Sequence, residues 1–375
     1  MPTVGTRKVN GIQYVRAVAA LLVVFYHETM YLSVMKGQTF LHDVFGGTPG
    51  LYGVVAFFVL SGYLMADIAP KYAPSTFIVH RVTRIYPTYL MCVLLAAVFF
   101  RWLWYVTKPA ADFVPSIGNM LFAGGHFRDL LRLTLAPAVF PDFPLGIEWT
   151  LLYEISFYVI VLVVSMCRQL RFLPHLAIAW LAVILWASGA HPEWETGYTS
   201  PSLLTLPFFG INAGFIFGII ANRMRSRIHP LIAIPVGALL LISVPLWPNR
   251  FAMIETSAGL AAIVIGIIAL ERIRGLAELP MLKRLGDWSY AIYLAHVPVI
   301  VGTYKLLRSN SPSVLIGATT ILVLAVAAII GLVDVRGYYR LKAWFDRASV
   351  NTRRIAAGAF LVIFASAAGA AAALK

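Results

Sequence analysis

Residues 12–34 read IQYVRAVAALLVVFYHETMYLSV, and this stretch decides the class of fold. It is an apolar run of the length that a helix needs to cross hydrocarbon, roughly 20 residues. Runs of the same kind recur along the whole chain. Of 375 residues, 60% are hydrophobic and 12% are charged, whereas a soluble domain carries roughly 25% charged residues. So few charges cannot cover the surface of a soluble globule. The chain therefore reads as an all-α, polytopic transmembrane bundle of about ten or eleven spans, with no soluble domain. Hydropathy and helix breakers put the spans at about 12–34, 51–68, 87–106, 147–166, 175–190, 204–222, 230–246, 254–270, 288–306, 313–333 and 355–374.

Lys and Arg outnumber Asp and Glu by 30 to 16, but they sit in short connections between spans. The segments 80–84, 168–171, 223–227, 272–284 and 336–354 hold most of them. The positive-inside rule explains that placement, puts the N-terminus in the cytoplasm and leaves no need for a nucleic-acid partner. Arg7 and Lys8 ahead of an apolar run imitate a signal peptide. The run is too long for an h-region, carries Arg16 and His27 and has no small-residue cleavage site, so it reads as a retained helix. Cys92 and Cys167 lie in or beside apolar spans, where a disulfide is not expected, and no metal-ligand spacing occurs. The connection over about 107–146, rich in Pro, Gly and Phe, is expected to form interfacial or re-entrant helices.

An ionisable group inside a membrane helix costs roughly 2.5–3.5 kcal/mol on insertion scales, so each needs a reason. The first span holds three: Arg16, His27 and Glu28. Arg16 and His27 are close to three full turns apart, on one face, with roughly 16 Å between them along the axis. Taken singly, Arg16 is an interfacial anchor and His27 a hydrogen bond to a neighbouring helix. Together they make a polar stripe from the inner surface into the membrane, and a neutral imidazole suits a general base. FIVHRVTRIYPTY (77–89) places Arg81 and Arg84 on one turn, ahead of Pro87 as the start of the third span. Singly they are positive-inside decoration; with Arg16 they suit an anion such as phosphate.

GIEWTLLYEISFY (146–158) puts Glu154 about two turns into the fourth span, after Trp149 and Tyr153. A carboxylate there needs a partner such as His27 or a substrate hydroxyl. Glu148 and Trp149 fall at the outer interface, where aromatic belts occur. LGDWSYAIYLAHVP (285–298) carries Asp287 and Ser289 near the inner end of its span and His296 about two turns deeper. Tyr290, Tyr293 and His296 follow at intervals of three, another polar stripe. His296 serves equally well as a packed core residue before Pro298. In GVVAFFVLSGYLMA (53–66), the pair Ser61-Gly62 allows either close helix contact or a break where a ligand passes. No GxSxG elbow, Walker loop, GxGxxG or HExxH is present.

Taken in order, these segments resemble the acyltransferase-3 family of membrane acyltransferases, over about residues 11–340. The motifs are Arg16-x10-His27, FFVLSGYLM, Arg81-x-x-Arg84, WTLLYEISFY and LGDWSYAIYLAH. The opening IQYVRAVAALLVVFYH is particularly similar to the ExoZ-like branch of exopolysaccharide O-acetyltransferases. One departure is Asp334-Val-Arg-Gly337, where the family has Glu-x-Pro. The resemblance implies a transferase domain over 1–340, and 341–375 as a cytoplasmic segment with a further C-terminal membrane helix. It implies a bacterial inner-membrane enzyme that takes an acyl group from cytoplasmic acetyl-CoA, without a metal, to a hydroxyl of a glycan or lipid-linked sugar. On that reading His27 is the base, Glu154 supports the imidazolium, and Arg16, Arg81 and Arg84 hold the CoA phosphates. Ser61, Trp149, Tyr153, Ser289, Tyr290, Tyr293 and His296 support the substrates or the site. An acyl-His27 relay stays open. So does a secondary transporter, which also uses intramembrane His, Glu and Arg.

Overall fold

The computed structural model describes residues 9–107, 131, 133–137, 145–194, 202–247 and 249–373. Among them are twelve α-helices and no strand. In chain order these are α1 (Asn10–Lys36), α2 (Phe40–Phe45), α3 (Thr48–Ile68), α4 (Pro74–Thr107), α5 (Glu148–Met166) and α6 (Leu173–Ala190). There follow α7 (Asn212–Met224), α8 (Pro230–Leu246), α9 (Ala252–Arg274), α10 (Pro280–Leu306), α11 (Pro312–Arg347) and α12 (Val350–Ala373). Eight helices are long and apolar enough to cross a membrane, and α8 is a shorter apolar helix. The chain is thus an all-α, multi-pass membrane bundle; nine of the eleven expected spans coincide with one of these helices, and 204–222 and 288–306 fall on α7 and α10, which are not among the eight. The connection over 107–146 lies largely outside the described residues.

Local chemistry sets the helix ends. α4, α8, α10 and α11 each open on a proline, whose missing N–H is no loss in a first turn. The first N–H groups of α1, those of Asn10 and Gly11, each donate at 2.8 Å to the Glu271 carboxylate at the end of α9. That carboxylate complements the positive end of the helix dipole. Arg225, just past α7, pairs with Asp67 of α3 at 2.8 Å. With the His80–Asp346 bridge from α4 to α11 and the Tyr14 hydroxyl bonded to Ala277 and Leu279 ahead of α10, these contacts join the N-terminal ends of α1, α4 and α10 and the C-terminal ends of α3, α7, α9 and α11, here termed the basic end.

Three elements depart from the sequence expectation. The third span does not start at Pro87: α4 begins at Pro74 and carries the proline inside. Two residues before that proline, the Tyr290 hydroxyl of α10 donates to the Ile85 carbonyl at 3.0 Å and ties α4 to α10. Arg81 and Arg84 therefore sit on a rigid, continuous helix. Likewise α10 starts before residue 288 and α11 continues beyond 333, unbroken through 340. Hydropathy finds the apolar slab, whereas charged helical turns run on outside it, as in the Lys342–Asp346 pair of α11 at 2.8 Å. The segment 204–222 divides into a 3-10 turn, Leu206–Phe208, and the short α7. Pro207 and Gly210 break it there, and the Asn212 amide donates to the carbonyls of Leu206 and Phe209 at 2.7 and 2.9 Å.

The Ser61-Gly62 pair makes a close helix contact, not a break. A Cβ on Gly62 would run into the Phe215 carbonyl of α7, and one on Gly218 into the Val59 carbonyl of α3. Gly62→Ala is expected to destabilise the bundle by about 1–3 kcal/mol through overpacking. Thermal unfolding in detergent checks this, with Gly317→Ala as control, because Gly317 faces open space.

Candidate functional site

Helices α1, α3, α4, α5, α10 and α11 enclose a cavity of about 380 Å³. Its charged lining is Arg16 from α1, Arg81 and Arg84 from α4, Glu154 from α5 and Asp287 from α10. Ser61, Tyr290 and Tyr293 also reach the wall, and Phe57, Phe58, Leu64, Met65 and Ile68 give it an apolar side. The arginines that sequence reasoning grouped are therefore grouped in space, with Glu154 among them.

The three guanidiniums differ in what they already hold. Arg84 is committed: its Nη1 meets both oxygens of Asp334 at 2.7 and 2.6 Å. Its Cζ also lies 5.3 Å from the Tyr290 ring centre and 5.5 Å from that of Tyr338. The Asp334 side chain is 2% exposed, and it accepts a further bond from the Thr88 hydroxyl at 2.6 Å. Arg16 donates from Nε to the Ser289 hydroxyl at 3.1 Å. The Arg81 Nε is buried with no hydrogen-bond partner among the described residues. Arg81 is thus the cation with most capacity left for an anionic ligand.

Glu154 accepts a hydrogen bond from Tyr158 of its own helix at 2.5 Å. It joins the arginine cavity, whereas His27 has other partners. The His27 Nδ1 lies 3.0 Å from the Val23 carbonyl and 3.1 Å from Nε2 of His296. The two imidazoles meet edge to face, centres 4.8 Å apart, and His296 is fully buried. Neither lines the arginine cavity. Tyr293 connects the two places. Its ring is 5.9 Å from Phe57 and 5.8 Å from His296, and its hydroxyl shares a 2.7 Å hydrogen bond with Thr150.

The remaining predicted residues pack around these groups. Tyr153 is buried, its ring edge-on to Trp149 and 6.1 Å from Phe58. Glu148, expected at an interface, is fully buried and accepts from the backbone N–H groups of Leu145 and Ile147 at 2.8 and 3.0 Å, fixing the entry to α5. Sequence reasoning assigned no function to Asp334. Its signal was available, because a carboxylate within an apolar helix demands a partner of opposite charge. Tyr158, one turn after Glu154, was open to the same i,i+4 argument.

A family model described as an acyltransferase domain matches residues 9–333, which includes every residue of the cavity wall up to α11. The chain belongs to the acyltransferase-3 family. Its relatives agree in kind. The acyltransferase MdmB of Streptomyces mycarofaciens is 26% identical over 353 residues, 86% of this chain and 87% of that protein. The exopolysaccharide production protein ExoZ of Rhizobium meliloti is 29% identical over 269 residues, 66% of this chain and 76% of that one. Nodulation protein 10 of Rhizobium leguminosarum bv. viciae is 24% identical over 318 residues, 78% and 83% of the two chains. The likeness to the ExoZ-like branch, expected from the opening of α1, is therefore present in the comparisons. No solved structure matches the chain. As an acyltransferase-3 protein, this chain is a multi-pass membrane acyltransferase.

Proposed function

We propose that this acyltransferase moves an acyl group, most simply acetyl, from cytoplasmic acyl-CoA to a hydroxyl of an exported glycan or lipid-linked sugar. The observation that carries the reading is the chain of rings from the arginine cavity through Phe57, Tyr293 and His296 to His27. In this reading the arginine cavity binds the anionic donor and His27 is the base, at successive depths of one bundle. The basic end faces the cytoplasm of a bacterial inner membrane, as the positive-inside rule requires. Phosphates of the donor bind Arg81 and Arg16, while Arg84 shapes the wall through Asp334. The pantetheine arm lies along the apolar side of the cavity and brings the thioester past Tyr293 to His27. The His27 imidazole takes the proton of the acceptor hydroxyl, whose oxygen attacks the thioester carbonyl. Glu154 acts within the arginine cavity, balancing the guanidiniums and holding Tyr158. ExoZ, by its name, serves exopolysaccharide production, which favours a surface glycan as acceptor.

Arg81→Ala removes charge-assisted bonds each worth about 1.5–3 kcal/mol. It is expected to raise the donor KM by about one to two orders of magnitude. Binding of CoA and of dephospho-CoA to the purified protein, compared with Arg81→Ala, tests this. Equal CoA affinity in both proteins would remove the phosphate from Arg81.

A further inference from the structure

The hydrogen bonds of the two histidines fix where their protons lie. Nδ1 of His296 is 2.7 Å from the Tyr293 carbonyl and 3.3 Å from that of Ile292. Carbonyl oxygens only accept, so this nitrogen bears the proton and the lone pair of His296 is on Nε2. That lone pair is 3.1 Å from Nδ1 of His27. The same Nδ1 is 3.0 Å from the Val23 carbonyl. His27 Nδ1 therefore faces two acceptors and carries a proton, which leaves the lone pair of His27 on Nε2. For an uncharged pair no other distribution of protons satisfies all these contacts. Nε2 of His27 has no hydrogen-bond partner among the described residues, so its lone pair is available.

We propose that His296 is the positioning partner of His27, doing with a neutral ring what a carboxylate does behind the histidine of a serine-hydrolase triad. This rests on the reading of His27 as the base. The acceptor hydroxyl gives its proton to Nε2 of His27 as its oxygen bonds to the thioester carbonyl carbon. The carbon–sulfur bond breaks, and the departing CoA sulfur takes that proton back. Between these events His27 is an imidazolium, and its Nδ1–H bond to His296 becomes charge-assisted, about twice as strong as a neutral one. The Val23 carbonyl alone preserves the tautomer, so the contribution of His296 falls on the charged ring and on kcat. A neutral partner also suits the setting, because a buried carboxylate beside His27 would be costly inside the membrane.

Full-length protein in detergent, with labelled acetyl-CoA as donor and a surface-glycan extract as acceptor, tests the assignment. His296→Leu is expected to lower kcat by about 10²-fold or more, with the donor KM within about threefold of the parent. His296→Gln, which keeps an acceptor at the reach of Nε2, is expected to recover to within about tenfold. Where His296→Leu lowers the melting temperature, the glutamine variant alone decides. A leucine variant with the parent kcat overturns the proposal, as does a glutamine variant that is stable but as inactive as leucine. If both variants match the parent while His27→Ala is inactive, only the pairing falls. If His27→Ala is active, the reading of His27 as base falls and the pairing with it.

Discussion

Arg84→Leu is expected to destabilise the folded protein by about 3–5 kcal/mol, the cost of leaving one member of a buried ion pair without the other. The Asp334 carboxylate, 2% exposed, would keep only the Thr88 hydroxyl. Two aromatic faces, Tyr290 and Tyr338, would lose their cation as well. Adding Asp334→Leu is expected to restore much of the loss, because an apolar pair of similar volume replaces a buried ion pair at little or no cost. The same substitution at Arg81 strands no carboxylate and leaves the melting temperature close to that of the parent. Thermal unfolding of the four proteins in detergent separates a structural arginine from a ligand-binding one. A single Arg84→Leu variant as stable as the parent would show that the guanidinium is available to the donor phosphates after all.

His27→Ala is expected to reduce transfer by about 10²–10⁴-fold, the usual contribution of a positioned general base. The fold should survive, since among the described residues the partly exposed His27 ring makes its hydrogen bonds only to Val23 and His296. The donor KM should change little, because the ring lies outside the arginine cavity. Steady-state rates as a function of donor concentration give both quantities. A large rise in KM at unchanged kcat would mean that His27 binds the donor and leaves the proton to another group.

Much of this arrangement was legible from residue type and spacing. Arg16, Arg81 and Arg84 converge as their spacing suggested, and His27 and His296 lie away from them, as their positions along α1 and α10 required; Glu154, expected beside His27, instead lies among the arginines. Two things were not legible. The pairing of Arg84 with Asp334 joins residues 250 apart in sequence, and no local pattern states which of three arginines a distant carboxylate will choose. The partner of His27 was equally hidden: His27 and Glu154 share no motif, and only the packing of α1 on α10 brings His296 to it. Helix ends were misjudged where charge and proline mislead. Pro87 reads as a start in the sequence, yet the helix runs through it from Pro74.

The most direct measurement is the fate of label from acetyl-CoA incubated with the purified protein and a surface-glycan extract, followed by mass spectrometry of the glycans. Label on a glycan hydroxyl, together with released CoA and with both signals lost in His27→Ala, is the expected result. If acetyl-CoA and a panel of longer acyl-CoA donors are all left unconsumed, the chamber does not take acyl-CoA and the proposed reaction is wrong.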